Sequence, residues 1–132
     1  MEPIWLPIDE IIETNRDVVS ETGEPFAIIR PDGLEIAAAA PKNSFYFGNT
    51  ADIVELAVVL LFSLARNHCF EQGNKRTALI SAILFMQANG LTLNIRDSEE
   101  LGELIVGVIE GGVSHSEFLD HIKPFAAPYH AY

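Results

Sequence analysis

The apolar positions of this chain recur mostly with a helical period. After Pro7, residues Ile8, Ile11, Ile12, Val18 and Val19 mark one face of an amphipathic helix that ends near Gly23. Glu24 to Asp32 holds two prolines and reads as a loop, and Gly33 to Ala40 as a short Ala-rich helix stopped by Pro41. Lys42 to Asn49, with three aromatic residues before Gly48-Asn49, reads as an extended loop or small hairpin. Thr50 offers an N-cap, with Asp52 in the first turn, for a helix whose Ile53, Leu56, Ala57, Leu60 and Leu64 share a face and which ends near Asn67. The next helix spans Lys75 to Asn89 with Gly90 as its stop. It is apolar on almost every side from Ala78 to Met86, which predicts a central helix wrapped by others.

Leu91 to Ile95 alternates weakly, as a short strand would. Asp97 and Glu100 have capping-box spacing ahead of Leu101, Leu104, Ile105, Val108 and Ile109, and Gly111-Gly112 breaks that helix. Ser114 and Glu117 repeat the spacing before Phe118, Leu119 and Ile122, and Pro124 closes the last helix. The expected fold is all-α: one domain over residues 1–132, a bundle of about six helices with a central apolar helix and at most a small β-hairpin flap.

Composition narrows the possible partners. With 132 residues, 48% apolar and 20% charged, the chain suits one compact core rather than disorder. The net charge of −11 argues against a general nucleic-acid surface, because phosphate backbones need broad cationic faces. Three of the eight Lys and Arg residues, Arg66, Lys75 and Arg76, cluster near one segment, so a local cationic pocket for a small anion is expected. Cys69 is the only cysteine, which excludes an intrachain disulfide and fits a reducing cytosol. The first ten residues lack the pattern of a secretory signal, and the longest apolar stretch, Ile53 to Ala65, is too short to span a bilayer, so a cytoplasmic location is expected.

The segment His68-Cys69-Phe70-Glu71-Gln72-Gly73-Asn74-Lys75-Arg76-Thr77 carries the chemistry. A Gly-Asn turn opening into a helix aims backbone N–H groups at an anion, and Lys75 and Arg76 add full charges. Two cations in a helix first turn oppose the macrodipole unless an anion joins them. His68 has the side chain suited to moving a proton near neutral pH, although a histidine there can equally cap the preceding helix. Gly73-Asn74 can likewise be a plain tight turn. Phe70 reads as a core anchor and Cys69 as structural. Glu55 reads as a solvated position, and His115, His121 and His130 lack metal-ligand spacing. The segment is not a Walker A loop, since no glycine lies five residues before Gly73.

These residues resemble the Fic superfamily, whose motif runs His-x-Phe-x-(Asp/Glu)-(Gly/Ala)-Asn-(Gly/Lys)-Arg. Asn74-Lys75-Arg76-Thr77-Ala78-Leu79 is similar to the death-on-curing (Doc) toxin branch. The likeness extends to Arg30-Pro31-Asp32-Gly33-Leu34-Glu35, Leu84-Phe85, Asn89-Gly90 and Glu100-Leu101, and so covers nearly the whole chain. The resemblance implies a toxin of a toxin–antitoxin pair that transfers the γ-phosphoryl of ATP, with Mg²⁺, to a hydroxyl of elongation factor Tu. By position, His68 would be the general base, Gly73 and Asn74 the anion cradle, and Lys75 and Arg76 phosphate ligands. Lys42 to Asn49 would be the flap that aligns the target. The implied partner is a small antitoxin whose disordered C-terminal segment folds onto the toxin. Two positions depart from the motif. Gln72 stands where the family has its Mg²⁺-contacting acid, and Leu79 replaces the second arginine of AMP-transferring members, which speaks against AMP transfer. Glu71 is expected to project to a different side from Gln72. A catalytically weak module that binds nucleotide or antitoxin is the alternative reading.

Overall fold

The computed structural model describes residues 1–96 and 98–130. Six α-helices, one 3₁₀ turn and one two-stranded sheet account for the regular structure of these residues. Helix α1 spans Ile8–Thr22 and starts after Pro7, with Asp9 and Glu10 in the first turn, where the macrodipole favours acids. Gly23 ends it in the left-handed conformation, φ 73°, and Glu24 N–H donates to the Val19 carbonyl at 3.0 Å.

Helix α2 corrects the sequence reading. It runs from Pro31 to Phe47, straight through Pro41. The proline removes one N–H, which would have reached the Ala37 carbonyl, but tertiary contacts carry the helix onward. Phe45 meets the Trp5 ring edge-on at 5.7 Å, and Pro41 itself is buried. The aromatic segment expected as a loop or hairpin is therefore helical as far as Phe47, and Gly48 N–H and Thr50 N–H both close on the Ser44 carbonyl at 3.0 and 3.1 Å.

Helix α3, Ile53–Asn67, is capped by Asp52 rather than Thr50: the Asp52 carboxylate accepts from Glu55 N–H at 3.0 Å. It packs against α2, α4, α5 and α6, whereas α4 (Asn74–Ala88) packs on α3, α1 and the first strand. Nine residues of α3 are buried against seven of α4, so the central position expected for α4 is shared, with α3 as the hub. Phe62, Phe70, Phe85 and Phe118 are fully buried around this pair. Each such side chain stabilises the fold by roughly 1.5–3 kcal/mol relative to exposure.

Strand β1, Leu91–Leu93, pairs antiparallel with β2, Ala126–Pro128, in the register Leu91 to Pro128 and Leu93 to Ala126. The partner strand comes from the far end of the chain, so this is no hairpin. Helix α5, Glu99–Ile109, has Ser98 as its N-cap, accepting from Leu101 N–H at 3.2 Å. The cap expected at Asp97 lies outside the described residues. Helix α6, His115–Ile122, carries the expected Ser114/Glu117 capping box, and a 3₁₀ turn with Pro124 follows at Lys123–Phe125.

Candidate functional site

The motif segment joins α3 to α4 along one side of an open cleft of about 370 Å³. Ala65, His68, Glu71, Gln72, Gly73, Asn74 and Lys75 line it from this side, and Val106, Ile109 and Glu110 from the end of α5. His68 is the C-cap of α3, in the left-handed region at φ 48° and ψ 55°, and its side chain is exposed. It thus ends α3 in the left-handed conformation and lines the cleft.

The next two residues turn inward. Cys69 is 0% and Phe70 1% exposed. Burial pushes the Cys69 thiol above its ordinary range, with Arg30 acting weakly in the opposite sense, so a thiolate nucleophile is disfavoured. The loop backbone is strapped to the segment ahead of α2. Ile29 N–H and Arg30 N–H donate to the Cys69 carbonyl at 2.9 and 3.1 Å, and Glu71 N–H donates to the Ala27 carbonyl at 3.0 Å. Phe26 lies 6.4 Å from the Phe70 ring and is itself covered by the Arg16 guanidinium at 4.2 Å.

Asn74 locks the loop onto itself. Its side-chain oxygen accepts from Phe70 N–H at 3.0 Å, and its amide donates to the Phe70 carbonyl at 2.8 Å. The side chain is therefore occupied, and any cradle must come from backbone amides. Gly73 is the N-cap of α4 at φ 74°, and the first intrahelical bond runs from Thr77 N–H to the Gly73 carbonyl at 2.9 Å. A helix start leaves its first N–H groups without intrahelical acceptors.

The two motif cations separate. Lys75 lines the cleft, while Arg76 is absent from its lining and forms a 3.1 Å ion pair with Glu21 of α1. Glu71 and Gln72 both belong to the lining of this cleft. Glu110 had no sequence signal, because only the packing of α5 brings it near the motif. Glu55 lies apart, in a second cavity with Thr50, His115 and Ser116. Among the described residues no group of three His, Cys, Asp or Glu side chains is placed to hold a metal alone, and no helix is long and apolar enough to cross a membrane.

The sequence pattern defining the Fic/DOC family matches residues 5–86. The chain is 31% identical over 115 residues to "Protein kinase doc" of Escherichia phage P1, covering 87% of this chain and 90% of that protein. It is also 42% identical over 67 residues to "Toxin Doc" of Mycolicibacterium smegmatis, covering 49% of this chain and 52% of the relative. With the family pattern over residues 5–86 and the phage relative matched over most of both chains, the chain belongs to the Fic/DOC family, in its Doc branch.

Proposed function

We propose that this protein is the toxin of a toxin–antitoxin pair and that it moves the γ-phosphoryl group of ATP to a hydroxyl of a translation factor, elongation factor Tu being the first candidate. The observation that carries the reading is the shared cleft, where His68 and Lys75 stand at opposite ends of one loop with the amide-bearing start of α4 between them. The phage relative named as a protein kinase supports the reaction class. In the step itself, His68 takes the proton of the target hydroxyl as its oxygen bonds to the γ-phosphorus and the bond to the ADP oxygen breaks. Lys75 and the backbone amides of the loop hold the phosphates in line. Arg76, paired through one guanidinium nitrogen with Glu21, is the second phosphate ligand this reading expects.

Residues with hard oxygen donors suit Mg²⁺, and three of them, Gln72, Glu71 and Glu110, belong to the cleft lining. One or two protein ligands suffice for this ion when phosphate and water oxygens fill the rest. When bound, it supplies charge neutralisation on the phosphates. A small antitoxin with a disordered C-terminal segment is the partner this reading expects.

The test is transfer of label from γ-labelled and, separately, α-labelled ATP to purified elongation factor Tu. Label from the γ position alone is expected. Label from the α position would indicate AMP transfer. No label from either, with ATP still bound, would favour a nucleotide-binding module, the reading that Gln72 in place of the family's acid supports.

A further inference from the structure

Behind the motif loop lies a side chain that the proposed chemistry does not use. Asn15, in the middle of α1, is 0% exposed. Its amide donates to the Gln72 carbonyl at 2.8 Å and to Thr77 Oγ1 at 3.0 Å. Its own oxygen is buried with no hydrogen-bond partner among the described residues. A buried amide with an unsatisfied oxygen is costly, and an apolar residue of similar shape would remove that cost. The orientation of the amide is fixed, because only its nitrogen can face the Gln72 carbonyl. The packing agrees: a Cβ on Gly73 would lie 2.9 Å from Val18 Cγ1 and 3.4 Å from Asn15 Nδ2, so α1 presses directly on this peptide.

The Gln72–Gly73 peptide is trans, like every described peptide bond. In a trans peptide the N–H points opposite to the C=O. Asn15 draws the carbonyl toward α1, so the Gly73 N–H points away from α1. The cleft lining comes from α3, the loop, α4 and α5 and not from α1. Gly73 N–H has no acceptor among the described residues. If the peptide were reversed, a carbonyl oxygen would face the anion instead of a donor.

We infer that Asn15 is a positioning residue for the phosphate site: it holds the Gln72–Gly73 peptide in the one orientation that presents the Gly73 N–H to a bound phosphate. The inference rests on the cleft being the nucleotide site. It adds a residue some sixty positions upstream of the motif, acting through the backbone and without touching the ligand.

The experiment is titration of the full chain with Mg²⁺-free ATP, following backbone amide resonances by NMR and affinity by calorimetry. In the wild type, the Gly73 amide proton is expected to move downfield together with that of Lys75. Asn15→Leu keeps the volume and removes the donor. It is expected to abolish the Gly73 response and weaken ATP about ten-fold, the size of one hydrogen bond to a charged group. Thr77→Val removes the other Asn15 partner and should leave the Gly73 response intact. If both variants weaken ATP equally, Asn15 is only packing and the inference falls. Should Asn15→Leu not fold, Asn15→Asp serves: its oxygen replaces the donor, attracts the Gly73 N–H inward and should give the same loss. In the wild type alone, a Lys75 response without a Gly73 response overturns the inference and spares the nucleotide reading. No response anywhere from His68 to Arg76 overturns both.

Discussion

Gly73 meets two demands at once, a φ of 74° and a space that Val18 would otherwise contest at 2.9 Å. Gly73→Ala is therefore expected to cost about 1–3 kcal/mol of stability, read as a lower thermal midpoint, and a wild-type midpoint would mean that α1 yields easily. His68 makes no such structural demand through its exposed ring. His68→Ala should abolish phosphoryl transfer while the melting temperature stays within a degree or two of wild type, about the span of a small surface effect. Retained transfer would remove it as the base. Gln72 is the third test at this scale. A carboxylate brings a full charge to a hard cation where an amide brings a dipole, so Gln72→Asp should lower the Mg²⁺ concentration needed for half-maximal rate. Superimposable Mg²⁺ curves would point to Glu71 or Glu110, which line the same cleft. The turn, the histidine and Lys75 were legible in the sequence because they are local: a dozen contiguous residues set their geometry. Asn15, Glu21 and Glu110 were not, because nothing within a few residues of each records what packs against it.

At the scale of elements, legibility followed the same division. Helix ends written in local chemistry, such as Pro7, Gly23, Gly90 and the Ser114/Glu117 box, were read correctly. Pro41 misled because the cost of one lost helical hydrogen bond was weighed without the contacts that offset it, Phe45 on Trp5 among them. The short sheet was half legible, since β2 forms only because the chain end returns to β1. One tie between elements carries a pH signature. Arg66, in the last turn of α3, sits 2.8 Å from the Nε2 of His115 at the start of α6, with the His115 ring 4.9 Å from Phe62. Burial first, and the Arg66 charge second, lower the His115 pKa from 6.5. The unfolded chain then takes up this proton at a higher pH than the folded one. The tie is fully in place above 6.5 and is lost as pH falls through the window below it. The thermal midpoint should drop on acidification through that window, and His115→Gln should flatten this part of the profile. An identical profile in the variant would place the acid sensitivity elsewhere.

Taken whole, the molecule sets its charge against its proposed ligand. A net charge of −11 surrounds a cleft that is to receive a polyanion. Within that cleft Lys75 is accompanied by Glu71 and Glu110, and Arg76 is held by Glu21 on another side. The sequence made this balance visible, but it also suggested a concentrated cationic pocket, which the divergence of Lys75 and Arg76 dilutes. Binding must then rely on short-range donors, the oriented amides and one lysine, working against a repulsive long-range field. Salt acts on the two components differently. The Debye length shrinks from roughly 30 Å at 0.01 M to about 8 Å at 0.15 M, which screens the distant carboxylates before it weakens contacts at hydrogen-bond distance. Affinity for metal-free ATP is therefore expected to rise as sodium chloride increases over about that range, opposite in sign to the behaviour of a protein with a cationic binding face. Calorimetric titrations at several salt concentrations measure the slope directly. A steady loss of affinity with salt would mean that Lys75 and a released Arg76 outweigh the acidic surface, and that the ion pair with Glu21 opens readily when the nucleotide arrives.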